Sequence, residues 1–182
     1  MRVITGSARG RVLKTLQGED VRPTTDRVKE AIFSIIQFEL EGRRVLDLFA
    51  GSGQLGIEAL SRGAASATFV DMSKESISTV KDNLNHTKLG ENARVVQTDA
   101  LSFLKLGSDV FDIVFVDPPY ASDLVQKALN LLSDRVAAGG IVMCETPWGA
   151  ELPERVGELT LGRTYKYGKI MISVYRKDVP EV

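Results

Sequence analysis

Cysteine and histidine are almost absent: Cys144 and His86 are the only ones in 182 residues. A lone thiol forms no internal disulfide and no thiolate metal cage, and the chain shows no metal-ligand spacing. A cysteine nucleophile is not expected either, because Cys144 sits in a strand-like stretch. His86 falls at a helix end and reads as a surface residue, so histidine-based catalysis is not expected. No apolar run approaches the roughly 18 residues that a membrane-spanning helix needs. The opening Met1-Arg2-Val3-Ile4-Thr5-Gly6 lacks the apolar stretch of a signal peptide. These absences lead to an expected cytoplasmic location with no membrane partner and no metal. Repeats, low-complexity tracts and Pro/Gly/Ser linkers are missing too. What remains is ordinary for a folded protein: 43% apolar and 26% charged residues, in a length that suits one domain with a short appendage.

Excess charge of either sign is also lacking, since the net charge is −1. The distribution is uneven, however. Residues 1–30 carry seven Arg/Lys and four Asp/Glu, a net +3, against −4 for the rest of the chain. A basic arm on a mildly acidic body is either a phosphate-contacting surface or a plain solvated segment.

Residues 2–5 and 11–16 can pair as a hairpin around Ser7-Ala8-Arg9-Gly10. After Arg22-Pro23, Thr24 or Thr25 can cap a helix in which Val28, Ala31, Ile32, Ile35 and Ile36 recur at helical spacing. From residue 43 strands and helices alternate. Strands are expected over 44–49, 67–71, 94–98, 111–116 and 141–145, with helices over 54–62, 74–88, 100–105 and 123–137 between them. Beyond Pro147, residues 158–163 and 169–176 read as two strands joined by a turn at Gly168. The fold class is therefore α/β, a doubly wound parallel sheet with an antiparallel end.

The first strand runs through Asp47-Leu48-Phe49-Ala50-Gly51-Ser52-Gly53 directly into a helix. Gly51-x-Gly53-x-x-Gly56 matches the dinucleotide fingerprint superficially, and a tight strand-to-helix turn would need the same glycines. Two acids alter the reading. Asp47 precedes the glycines, where a carboxylate repels a pyrophosphate but suits a cation. Asp71 ends the second strand, 18 positions after Gly53, where an acid can hold both hydroxyls of a ribose. A ligand with a ribose, positive groups and no phosphate fits, and S-adenosylmethionine has those properties. A nicotinamide dinucleotide is the alternative. Asp99 can accept from an adenine amino group or cap the following helix, and one carboxylate does only one of these well. Met72 can pack on the adenine or enter the core.

Asp117-Pro118-Pro119-Tyr120 follows the most apolar strand. The two prolines stiffen the loop and remove two N–H donors, leaving carbonyls that only accept. Asp117 adds an acceptor and Tyr120 a flat ring. Together they suit a planar ligand bearing an NH₂ group, whose nitrogen is positioned for in-line attack on a methyl group. Whether Asp117 also takes a proton stays open. A strand-ending turn punctuated by Pro-Pro is the bland alternative.

Four stretches carry a closer resemblance: Arg22-Pro23-Thr24-Thr25-Asp26-Arg27-Val28-Lys29-Glu30-Ala31, Asp47 to Gly53, Leu55-Gly56-Ile57-Glu58-Ala59-Leu60-Ser61-Arg62-Gly63-Ala64, and Asp117 to Tyr120. They resemble the RsmD family of class I methyltransferases, over nearly the whole chain. That resemblance implies S-adenosylmethionine as cofactor and guanine N2 of 16S ribosomal RNA as target, taken as free RNA or within a small-subunit particle or its assembly intermediate. It implies a seven-stranded sheet with a reversed last strand over 41–182 and an N-terminal extension over 1–40. It also implies that residues 22–27 close over the methionine end of the cofactor and border the substrate pocket. The candidate catalytic residues are then Asp117, Pro118, Pro119 and Tyr120. The candidate cofactor contacts are Arg22, Thr24, Asp47, Phe49, Ala50, Gly51, Ser52, Gly53, Asp71, Met72, Asp99, Ala100 and Asp117. Arg9, Arg11, Arg22 and Arg27 are the candidate RNA contacts. Gln54 stands where a small residue is expected, and Trp148 can line the pocket or serve a core or interface role. Rival readings are another amino methyltransferase (of DNA adenine or cytosine-N4, or of protein glutamine), a non-catalytic cofactor-binding module, and a dinucleotide oxidoreductase.

Overall fold

The computed structural model describes residues 1–17, 26–119 and 123–182. The elements, in chain order, are α1 (Asp26–Ile35), β1 (Arg44–Asp47), α2 (Gln54–Ser61), β2 (Ser66–Asp71), α3 (Lys74–Thr87) and β3 (Ala93–Gln97). They continue with α4 (Ala100–Leu106), β4 (Phe111–Val116), α5 (Leu124–Leu132), β5 (Val136–Pro147), β6 (Arg155–Val156), β7 (Leu159–Tyr167) and β8 (Ile170–Lys177). All the strands join one sheet in the order β3-β2-β1-β4-β5-β8-β7-β6. The first five are parallel, and β8, last in the chain, runs antiparallel between β5 and β7. The expected reversed last strand is therefore present. There are eight strands rather than seven because the two-residue β6 pairs with β7.

Period-two alternation divides the core into two layers. Val45, Ile113 and Phe115 face α1, α2 and α3, with Ile32, Phe33, Ile57 and Val80 among their partners. Leu46, Val114 and Val116 face α4 and α5, against Phe103, Val125 and Leu129. Each such fully buried aliphatic or phenylalanine side chain contributes about 1.5–3 kcal/mol. Phe33 and Phe115 lock α1 to β4, with ring centroids 5.6 Å apart. The helix expected over 123–137 is shorter. It stops at Leu132, a 3₁₀ turn follows over Ser133–Arg135, and β5 already begins at Val136. Gly139, at φ 75°, provides the irregularity that lets so long a strand stay paired with β4.

The basic arm is welded to this body. Its hairpin is closed by one antiparallel bridge, Arg2 with Val12, flanked by Val3 N–H to Arg11 O at 3.0 Å and Gly10 N–H to Val3 O at 2.9 Å. Val3, Ala8 and Leu13 enter the same core layer as α1 and α2. The polar weld is Glu58, buried on α2. It accepts from the Ile4 and Thr5 amides at 2.7 and 3.2 Å and pairs with Lys29 and Arg62, each at 3.3 Å. Lys29 also donates to the Arg2 carbonyl at 2.8 Å. Burial pulls the Lys29 pKa down and Glu58 opposes that pull, so the ammonium depends on its partner. Ser61 accepts from the Ala8 amide and donates to the Thr5 carbonyl. Gly6, at φ 95°, packs so closely that a Cβ would lie 1.8 Å from the Ser61 carbonyl oxygen. On α3, the Asn83 amide accepts from Lys14 N–H and donates to the Lys14 and Ser52 carbonyls, which ties the arm to the glycine turn.

Candidate active site

In open α/β sheets ligands bind beyond the carboxyl ends of the parallel strands. Here an acid lies within two residues of the carboxyl end of each of the five parallel strands: Asp47, Asp71, Asp99, Asp117 and Glu145. Four of these were singled out in the sequence. Glu145 was not, although the same signal, a carboxylate closing a buried strand, marks it.

Asp47 is 2% exposed at the end of β1. Its Oδ2 accepts from the Gly56 amide at 3.0 Å and so caps α2, whose own N-cap, Gly53, offers no side chain. Burial pushes the Asp47 carboxyl up to about 8. The Gly56 hydrogen bond opposes this, and the nearby charges of Asp117 and Asp71 add to it. The structure thus brings Asp47, Asp71 and Asp117 together around the glycine turn.

Gly51 (φ 57°) and Gly53 (φ 84°) have the left-handed backbone that this turn demands. Asp71 orders it from β2: Oδ2 accepts from Gly51 N–H and Oδ1 from Ser73 N–H, both at 2.9 Å. Gly56 meets another constraint, since a Cβ there would come 2.3 Å from Phe69 Cε1. It allows α2 to press on β2. Ala50 and Ser52 are buried in the turn, and Phe49 is half-buried. Met72 is 71% exposed, so it is not a core methionine, and its apolar side chain flanks Asp71 at the rim. Asp99 caps α4, with Oδ2 accepting from Ser102 N–H at 2.9 Å and Ser102 Oγ–H at 3.1 Å, next to buried Ala100. Of its two sequence readings, the capping one is the one seen. Oδ1 makes no hydrogen bond among the described residues.

Asp117, Pro118 and Pro119 follow β4, and Tyr120 lies outside the described residues. Asp117 and Glu145 line one small cavity with Ile32, Leu55, Met143 and Ile172. None of these last five was foreseen as a site residue, because they converge from α1, α2, β5 and β8. Gln54, on the first turn of α2, is half-buried, and its Oε1 has no hydrogen-bond partner among the described residues. Cys144, distant from Asp117 in sequence, is brought to the strand neighbouring it, paired with Val116. It is fully buried, and burial pushes its thiol well above the usual range, so no thiolate forms there. Arg9, Arg11 and Arg27 are all exposed, the first two on the welded hairpin and the third on α1. Arg22 and Thr24 lie outside the described residues, as does Thr25. His86 is exposed near the end of α3. Among the described residues no group of three or more His, Cys, Asp or Glu side chains could hold a metal ion, and no helix is long and apolar enough to cross a membrane.

Known proteins share both sequence and fold. The family described as Conserved hypothetical protein 95 matches residues 1–176. A Bacillus subtilis (strain 168) protein named "Putative rRNA methyltransferase YlbH" is 43% identical over 182 residues, 97% of this chain and 99% of that one. The Escherichia coli (strain K12) protein named "Ribosomal RNA small subunit methyltransferase D" is 38% identical over 180 residues, 98% of this chain and 90% of that one. The solved structure of "Putative methyltransferase yhhF" from Escherichia coli superposes with a TM-score of 0.86 at 37% identity, covering 99% of both chains. With its carboxylate-ended parallel strands, glycine turn and Asp-Pro-Pro loop, the chain has the class I methyltransferase fold and belongs to the RsmD family.

Proposed function

We propose that this protein transfers a methyl group from S-adenosylmethionine to the exocyclic N2 of a guanine in 16S ribosomal RNA. The observation that carries the reading is the clustering of Asp47, Asp71 and Asp117 around a glycine turn. Burial, with the charges of the other two adding to it, pushes one of these carboxyls, Asp47, up to about 8. A ligand with positive groups and a ribose suits such a cluster, whereas a pyrophosphate would add to the repulsion. The names of the relatives support RNA as the acceptor.

When bound, the sulfonium supplies an electrophilic methyl group. Asp71, whose oxygens are already oriented by two amides, takes the ribose hydroxyls, and Met72 covers the adenine. Asp99 keeps Oδ1 for the adenine amino group, next to Ala100. Asp47 faces the positive end of the cofactor, while Phe49, Ala50, Gly51, Ser52 and Gly53 shape the turn beneath it. Arg22 and Thr24 close the site as part of an extension over residues 1–40. Asp117 and the Pro118 carbonyl accept from the target amine, Pro119 stiffens the loop, and Tyr120 stacks on the base, which must leave its helix to enter. Asp117 or water would take the proton that the target amine gives up once it is methylated. Arg9, Arg11, Arg22 and Arg27 hold RNA phosphates. No step needs a metal ion.

The test is to incubate the protein with labelled cofactor and immature small-subunit RNA or particles, then digest the RNA. Label in N2-methylguanine is expected, and label only in adenine or protein refutes the reading. Asp117→Ala should lose at least about a hundredfold in turnover while retaining cofactor affinity; full turnover would remove Asp117 from the mechanism.

A further inference from the structure

The net negative charge of residues 31–182 conceals a second basic region. Between Leu159 and Lys177 the β7–β8 hairpin holds five basic residues and no acidic one. Arg176 is tied to Glu39 at 2.8 Å and Lys177 to Glu158 at 3.3 Å. Arg163, Lys166 and Lys169 are exposed and make no ion pair among the described residues.

Beside them stands Trp148, the only tryptophan, 52% exposed. Its backbone is pinned by a 2.8 Å hydrogen bond from its amide to the Lys169 carbonyl, and Lys166 Nζ lies 4.6 Å from the ring centroid. A large ring is thus presented to solvent, covered on one face by a cation. The pairings Thr146 with Met171 and Pro147 with Ile170 set the hairpin tip along the end of β5. The pairing of Cys144 with Val116 sets that end beside Asp117. Trp148 lies three positions past Glu145, or about 10 Å at a strand rise of about 3.3 Å per residue. It therefore occupies the same edge of the sheet as the Asp117 loop.

A planar partner bearing phosphates satisfies both features, the open ring face and the unpaired cations. We propose that Trp148 and Lys166, with Lys169 beside them and Arg163 further along β7, form a stacking platform for a nucleotide that flanks the target base. This rests on the reading of RNA as substrate. Extrusion of a target base leaves its neighbours unstacked, so one of them can lie on the indole while its phosphates meet the cations. The platform and the basic arm would then both hold the strand.

Because Trp148 is the sole tryptophan, its own emission reports the contact. A fluorophore-labelled single-stranded RNA oligonucleotide is titrated into the protein at low salt, with anisotropy and tryptophan emission followed together. Quenching that tracks the anisotropy is expected. Trp148→Leu and Lys166→Gln should each weaken RNA binding, the first about tenfold, as loss of one stacked base implies, with cofactor affinity unchanged by calorimetry. Lys166→Gln is an exposed change and serves if Trp148→Leu folds poorly. Anisotropy that rises without quenching, or unchanged binding by both variants, overturns the platform and leaves the RNA reading standing. No binding of the oligonucleotide overturns the platform, and the RNA reading falls with it if small-subunit RNA and particles also take up no label. If Trp148→Leu instead abolishes a dimer seen by sedimentation and leaves RNA binding intact, the patch is a contact between copies and the proposal fails.

Discussion

Asp47→Asn separates the charge of this side chain from its hydrogen bond. An asparagine side-chain oxygen can still accept from the Gly56 amide, so the cap of α2 survives. The titration does not. In the folded protein the Asp47 carboxyl has its pKa raised from 3.8 to about 8, with burial the largest cause. Below about pH 4 the group is protonated in both the folded and the unfolded chain. Between there and about pH 8 the unfolded chain has released the proton and the folded one still holds it. Stability therefore falls with rising pH through that window, by at most about 1.4 kcal/mol per pH unit. From pH 5 to pH 7 the loss is about 3 kcal/mol, or roughly 5–10 °C in Tm for a domain of this size. Above about pH 8 the loss is complete and the dependence ends. Asp47→Asn lacks this component, so the wild-type Tm should fall relative to the variant across pH 5–8 in calorimetric scans without cofactor. Parallel curves would refute the argument and mean that the buried carboxyl is ionised throughout. A linked effect follows for the proposed cofactor. A cationic ligand stabilises the ionised form, so binding at pH 7 should release protons, seen as a buffer-dependent calorimetric enthalpy that Asp47→Asn loses.

Glu58→Ala removes the acceptor of two arm amides and leaves Lys29 buried without its carboxylate, so it should destabilise the fold by about 3–5 kcal/mol in denaturant titrations. It should also expose residues 1–17 to limited proteolysis; an arm that stays protected would contradict the weld. Gly56→Ala places a methyl group 2.3 Å from the Phe69 ring and should cost about 1–3 kcal/mol in thermal melts as α2 is pushed off β2. A neutral result would show that Phe69 yields freely.

Much of the carboxylate-lined edge was legible in the sequence because its parts are local. A buried apolar run such as Phe111–Val116 states where a strand lies, and the acid or glycine just after it must fall at the strand's carboxyl end. Asp47, Gly51, Gly53, Asp71 and Asp117 were placed in this way, from spacing alone. The two roles open for Asp99 could not be separated, because capping and ligand binding ask for the same residue at the same position. The helix expected over 123–137 overran, since Arg135 and Val136 are compatible with either state until β4 offers Val136 a partner.

The sequence by itself determined the alternating α/β order, the turn that glycine alone accommodates, and the presence of a stiff acceptor loop, since each is a property of a few adjacent residues. Only the tertiary structure decided that Glu58, Ser61 and Asn83 fasten the basic arm, that Cys144 is sealed beside the loop, and that Trp148 and the β7–β8 cations share an edge with Asp117. Those relations join residues dozens of positions apart. They depend on the sheet order and on the insertion of β8 between β5 and β7. The single cysteine and the single histidine are placed by the tertiary structure as well, Cys144 buried in β5 next to β4 and His86 exposed near the end of α3.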